Sequence, residues 1–204
     1  MTIEKNIFDS ATTAENCQRN WDYSKLITQD HLDLLTYVAT TMPTKQNQEY
    51  YQLVVSTDLE LNNEIYKLAY FDKHKNPSYK NHYNTQVLAH ILFMWCPFVN
   101  FNNRLGNYES TGRVSIGISA GAVALAANQL GYRSGFCGCF NQKEITKKLN
   151  FKLNLNKKNK IKFIEVGLGI GIPNLKYNSN KIIENDKVIK VKKQYHKNIK
   201  VYCI

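Results

Sequence analysis

Three short segments carry side chains that could act on a ligand. Cys17-Gln18-Arg19-Asn20-Trp21-Asp22 sets one arginine among amides, and a guanidinium there can hold a phosphate through charge-assisted hydrogen bonds. Pro43-Thr44-Lys45-Gln46-Asn47 offers a hydroxyl, an ammonium, two amides and backbone N–H groups. Such a loop can bond the rim of a polar, planar ligand, and the same residues also suit an ordinary polar turn. Residues 131–140 (GYRSGFCGCF) place Cys137 and Cys139 one residue apart. A C-x-C pair does not easily close a disulfide, and no histidine cluster accompanies it, so the thiols read as small packing residues. Gly138, between them, matters for another reason: glycine lets a backbone N–H come close to a ligand.

Two further constellations are weaker. Gly117-Ile118-Ser119-Ala120-Gly121 fits G-x-S-x-G, and Asp186 and His196 follow in the order of a serine hydrolase. A nucleophile elbow needs strand, sharp turn and helix, and here a helical small-residue pattern runs through Ser119. His31, His74, His82, His90 and His196 show no metal-ligand spacing, and no C-x-x-C occurs. No metal site is expected.

The elements that must position these segments follow from pattern. Residues 28–42 predict a helix: Thr28 suits the N-cap, Asp30 the first turn, and Leu32, Leu35, Val38, Ala39 and Met42 share a face before Pro43. Residues 50–56 are aromatic and β-branched, hence a strand, and 60–70 a short helix. Residues 72–86 are polar and irregular, 88–95 a buried strand, and 100–113 a loop. Residues 115–130 (SIGISAGAVALAANQL) are apolar nearly all round, which predicts a helix buried on most sides, with Gly131 as its C′ residue. Asn141 and Glu144 predict a capped helix, 161–169 a strand, and 198–203 a short terminal strand. The mixture has no regular βαβ rhythm, so the fold class is α+β.

Composition sets outer limits. The 204 residues are 43% hydrophobic and 12% aromatic, which excludes a disordered chain and suits one domain. The longest apolar stretch, 87–99, holds His90 and Pro97 and is too short to span a bilayer. The start, MTIEKNIFDS, has neither a basic region nor an apolar run, so a cytoplasmic protein with reduced thiols and no membrane partner is expected. The net charge of +11 is uneven: residues 1–140 carry −1 and residues 141–204 carry +12, all of the cations there being lysine. Base reading favours arginine, which occurs only four times, so nucleic-acid binding is not expected, although lysines interleaved with aromatics keep it as a rival.

The order of the pieces resembles the FMN-dependent nitroreductase family. That family has an N-terminal Arg/Ser phosphate segment, a helix, a P-[ST]-x-x-N loop and an aromatic strand. A mid-chain Asn/Lys segment, a central helix of LAA-x-x-LG type, a flavin-touching loop and a basic tail follow. The counterparts here are Arg19, then Pro43 to Asn47, then Tyr50-Tyr51-Gln52-Leu53-Val54-Val55. Asn84-Thr85-Gln86, Leu125-Ala126-Ala127-Asn128-Gln129-Leu130-Gly131, and Lys190, Lys192 and Lys193 complete them, so the resemblance covers about residues 15–200.

The resemblance implies an α+β fold with a mostly antiparallel central sheet flanked by helices. It implies a single domain over 1–204, basic from about 141, that forms an intertwined homodimer. Two FMN sites would lie at the dimer interface, with the 115–130 helix buried there. By resemblance, Gln18, Arg19 and Asn20 bind the FMN phosphate and Lys192 and Lys193 complete that site. Thr44, Lys45, Gln46 and Asn47 line the ribityl chain and ring edge, Asn84 and Gln86 meet the ring's polar edge, and Cys137 and Gly138 lie near flavin N5, with the Gly138 backbone pointing at it. NADH or NADPH would supply hydride and a nitroaromatic, quinone or similar small acceptor would take it. No catalytic side chain is required. The alternative within the family is a flavin-binding relative without nitroreductase activity. Departures are clear: at least one family arginine is missing near Arg19, the tail is all lysine, and 72–83 and 100–113 match nothing in the family.

Overall fold

The computed structural model describes residues 3–14, 17–69, 85–98, 108–157, 159–174, 181–184 and 187–190. Its centre is β2 (Ile91–Pro97), whose residues are buried on both faces up to Cys96. Ile91, Phe93 and Trp95 face one core, while Leu92, Met94 and Cys96 face the other. A strand buried on both sides has no polar alternation to show, so its sequence reads as a continuous apolar run.

Four strands form the main sheet in the order β1 (Tyr51–Ser56), β2, β4 (Val166–Gly171), β3 (Arg133–Cys137), all neighbours antiparallel. β5 (Lys181–Glu184) and β6 (Lys187–Lys190) pair separately as an antiparallel ribbon. On one face of the sheet lie α2 (Gln29–Thr41) and α4 (Tyr108–Gln129), which bring Leu35, Ala39, Ile116, Ala120, Val123 and Ala127 to the core. On the other lie α3 (Leu59–Leu68) and α5 (Gln142–Lys152), with Leu61, Ile65, Ile145 and Leu149. α1 (Ile3–Ala14) lies against α4 and β3. The α+β expectation, an antiparallel sheet between helices, holds.

Local chemistry sets the helix ends. The Thr28 hydroxyl accepts from the His31 N–H at 3.4 Å and starts α2. Asp58 accepts from the Glu60 and Leu61 N–H groups at 3.0 Å each and starts α3; the Leu61 bond comes first among the causes holding its carboxyl below the usual aspartate range. Asn141 caps α5 through the Glu144 N–H. Gly131 takes the left-handed turn after α4 at φ +84°.

The structure differs from the sequence reading in four places. α4 begins at Tyr108, so 108–113 is helix and not loop. The strand expected over 161–169 starts only at Val166. Residues 161–164 instead run beside α5, where Asn150 and Gln142 bond the backbone of Ile161 and Ile164 at 2.8–3.0 Å. β3, with a glycine at its centre, reads as a loop in sequence yet is a strand. α1 and the β5–β6 ribbon gave no recognised pattern. The terminal strand at 198–203 and most of 72–86 lie outside the described residues.

One hydrogen-bond hub joins the layers. Trp95 Nε1–H donates to Ser119 Oγ at 2.9 Å, and Ser119 Oγ–H donates to the Ala39 carbonyl at 2.7 Å. Tyr51 Oη–H donates to the same carbonyl at 2.7 Å. Ala39 lies in the last turn of α2, where carbonyls lack helical partners, so the hub also fixes the start of the 43–47 loop. Ser119→Ala leaves the Trp95 indole N–H buried without its acceptor, a cost of about 1–3 kcal/mol. A thermal melt is expected to fall by roughly 3–10 °C. An unchanged melting temperature would show that the hub contributes nothing.

Candidate functional site

The 17–22 segment runs over the β3–β4 end of the sheet. Gln18 N–H donates to the Ser134 carbonyl at 2.8 Å, Asp22 N–H to Ile172 at 2.8 Å, and Asn174 N–H to Asn20 at 3.0 Å. Trp21 pairs with Pro173 and sends its indole N–H to the Thr85 carbonyl at 3.0 Å. That bond ties the segment to the 3-10 turn Thr85–Leu88.

Two glycines make this stacking possible. A Cβ on Gly169 would stand 1.8 Å from the Gln86 carbonyl oxygen. A Cβ on Gly135 would stand 2.6 Å from both the Gln18 carbonyl oxygen and Gln86 Cγ. Only bare backbone at these positions lets the turn and the 17–20 segment lie directly on the sheet.

Side chains along 17–20 alternate. Gln18 and Asn20 are buried, and the Gln18 amide N–H donates to the Asn20 carbonyl at 2.5 Å. Cys17 and Arg19 are half-buried and turn the other way. Arg19 Nη1–H donates to Gln86 Oε1 at 3.3 Å, across 67 residues of sequence. Arg19 and Cys17 also lie within electrostatic reach of Cys137, the last residue of β3. Burial pushes the Cys137 thiol up to about 12; the Cys139 backbone N–H and Arg19 oppose that shift only in part. The thiol therefore stays protonated at neutral pH and is no nucleophile. Just past it, Gly138 is exposed, and nothing lies within 4 Å of where its Cβ would stand. A ligand can rest against this stretch of backbone.

Arg19, Gln86, Cys137 and Gly138 thus form one cluster at one end of the sheet. Thr44, Lys45, Gln46 and Asn47 do not join it. They precede β1, on the opposite edge of the sheet from β3, three strand spacings or roughly 14 Å away. Lys45, Gln46 and Asn47 are exposed, and Gln46 (φ 58°) and Asn47 (φ 53°) hold left-handed backbone. Such a conformation persists when its surroundings hold it. Here Thr44 Oγ1–H donates to the Gln48 carbonyl at 2.8 Å and Tyr50 Oη–H to the Lys45 carbonyl at 3.2 Å. Asn84, Lys192 and Lys193 lie outside the described residues.

Sequence reasoning missed the place of Cys17 beside Cys137 and the bond from Trp21 to Thr85. Both are contacts between distant segments, and no local spacing signals them. The hydrolase constellation does not form around Ser119: its side chain is fully buried in mid-helix, between Trp95 and Ala39, with no strand–turn–helix elbow. Asp186 and His196 lie outside the described residues. Among the described residues no group of three or more His, Cys, Asp or Glu is placed to hold a metal ion. No helix among them is long and apolar enough to cross a membrane.

No family model matches the sequence, and no curated protein matches it. Solved structures do resemble it. The hypothetical oxidoreductase YcnD from Bacillus subtilis superposes with a TM-score of 0.62 at 20% identity, over 88% of this chain and 70% of that one. Nitroreductase A from Vibrio parahaemolyticus gives 0.61 at 16% identity, over 88% and 72%. The NADPH:FMN oxidoreductase from Vibrio harveyi, solved with NAD+, gives 0.60 at 17% identity, over 97% of this chain and 79% of that one. With its antiparallel sheet between two helical layers and a likeness that spans nearly its whole length, this chain has the nitroreductase-like fold.

Proposed function

We infer that this chain is a homodimeric flavoenzyme that binds FMN and passes hydride from NADH or NADPH to a small electron-poor acceptor. The observation that carries the reading is the meeting of Arg19, Gln86 and Gly138, three separate segments of sequence, at one end of a nitroreductase-like sheet. The residues present fit the cofactor. Arg19 supplies a fixed cation for a phosphate, Gln86 an amide beside it, and Gly138 an open stretch of backbone.

FMN, when bound, supplies the two-electron carrier, a task that no side chain of this cluster performs. The protein's part is to bind and orient. Arg19 holds the phosphate, with Lys192 and Lys193 supplementing it. With FMN bound, Asn84 and Gln86 would meet the polar edge of the ring, and Cys137 with the Gly138 backbone would lie on the side of N5. Gln18 and Asn20, buried and bonded to one another, keep the segment in place so that Arg19 faces the ligand. The buried Cys137 thiol stays protonated and brings no charge to the site.

The remaining cradle, Thr44, Lys45, Gln46 and Asn47, precedes β1 at the far sheet edge, and a second chain would bring its copy over the cluster, as the family resemblance implies. α4 carries the surface for that. Val114 is 60% exposed, Ile118 and Leu125 are exposed, and the exposed Gly117 and partly exposed Gly121 leave open space between them. These residues follow i, i+3, i+4, i+7 and i+11 along one helix face, and Leu34 and Tyr37 of α2 add exposed apolar surface. The ring of residues that bind FMN is then completed by two copies of the chain.

Two outcomes test this. Arg19→Ala is expected to raise the FMN dissociation constant about 10- to 100-fold in a flavin fluorescence titration, the loss of one charge-assisted bond, with the thermal melt of the apoprotein little changed. An unchanged constant would place the phosphate elsewhere. Ile118→Lys puts a charge into the apolar face of α4; sedimentation should show a shift from dimer to monomer, together with loss of bound FMN. A variant that stays dimeric would move the interface off α4.

A further inference from the structure

The lysine excess has a definite place. Residues 143–162 hold eight lysines and one carboxylate, Glu144. On α5 the residues divide by side. Ile145 and Leu149 enter the core. Lys148 and Lys152 turn to α3, where they pair with Glu64 at 2.8 Å and Asp58 at 3.1 Å. Gln142 and Asn150 bond the 161–164 segment that runs alongside. Lys143, Lys147 and Phe151, four residues apart, are left as the outward ridge, and all three are exposed. In the 161–164 segment Ile161 and Ile164 are buried, so Lys162 and Phe163 between them face outward beside the ridge.

The apolar members of this surface are large and uncovered. Phe151 is 88% exposed, and Phe163 is exposed as well. A phenylalanine that protrudes among lysines from the end of a helix suits an anionic lipid surface. Anionic lipid headgroups attract the ammonium groups, and the interfacial zone beneath takes up the apolar side chains. A single-stranded nucleic acid fits less well: it is held along a charged groove, whereas Lys143, Lys147 and Phe151 form an outward ridge, and no arginine follows Arg133 in the chain. We propose that the outer ridge of α5, Lys143, Lys147 and Phe151, with Lys162 and Phe163 of the segment beside it, docks the protein peripherally on an anionic membrane surface.

The reading stands apart from the flavin site, since none of these residues belongs to it. It is tested by flotation of the full chain with vesicles of phosphatidylcholine alone and with phosphatidylglycerol as a third of the lipid. Binding to the anionic vesicles alone, lost at about 0.5 M salt, is expected. Phe151→Ala should weaken it about tenfold and Lys147→Gln about fivefold. Both variants should keep the wild-type circular dichroism and melting temperature. Absence of binding to anionic vesicles, binding indifferent to Phe151→Ala, or tighter binding to a single-stranded oligonucleotide would each overturn the proposal.

Discussion

The contact between the Gln86 backbone and Gly169 governs the candidate site. A carbonyl oxygen 1.8 Å from the place of a missing Cβ means that the 3-10 turn rests on the bare backbone of β4. Gly135 repeats the arrangement one strand away, under Gln18 and Gln86 together. Because both segments lie flat on the sheet, Trp21 can reach the Thr85 carbonyl and Arg19 can reach Gln86. A side chain at either glycine would lift the segments and part the arginine from its amide. The chain gives up strand propensity at these glycines and gains the close approach that the cluster requires.

Part of this was legible in the sequence and part was not. Capping and periodicity located α2 and α5 because Thr28 and Asn141 act locally, within three residues of what they bond; α3 reads as a short helix without its Asp58 cap. β2 was legible as an apolar run because it is buried on both faces. β3 was not, since Gly135 at its centre answers to packing against Gln18 and not to local preference. The start of the 161–169 strand was misplaced for a related reason: Asn150 and Gln142 capture that backbone before it reaches the sheet. At the site, the segments around Arg19, Gln86 and Gly138 were recognised one by one, and the structure brings them together. That Gln18 and Asn20 turn inward while Arg19 turns outward needed the pairing with Ser134 and Asn174.

The distribution of charge follows the same division of labour. Arg19, an arginine bonded to the Gln86 amide, lies at the β3–β4 end of the sheet. The lysines of α5 lie on the opposite layer of the sheet from α2 and α4, away from the apolar face of α4. The exposed apolar face of α4 and the lysine ridge of α5 are therefore separate surfaces.

The proposal that two copies of the chain complete a flavin site rests on the separation of the 43–47 loop from Arg19 across the sheet. Native mass spectrometry of the full chain with FMN tests it most directly. The account predicts a species of two chains carrying two FMN molecules, with no flavin retained on single chains. A monomer that holds FMN, or a dimer that holds none, would contradict it.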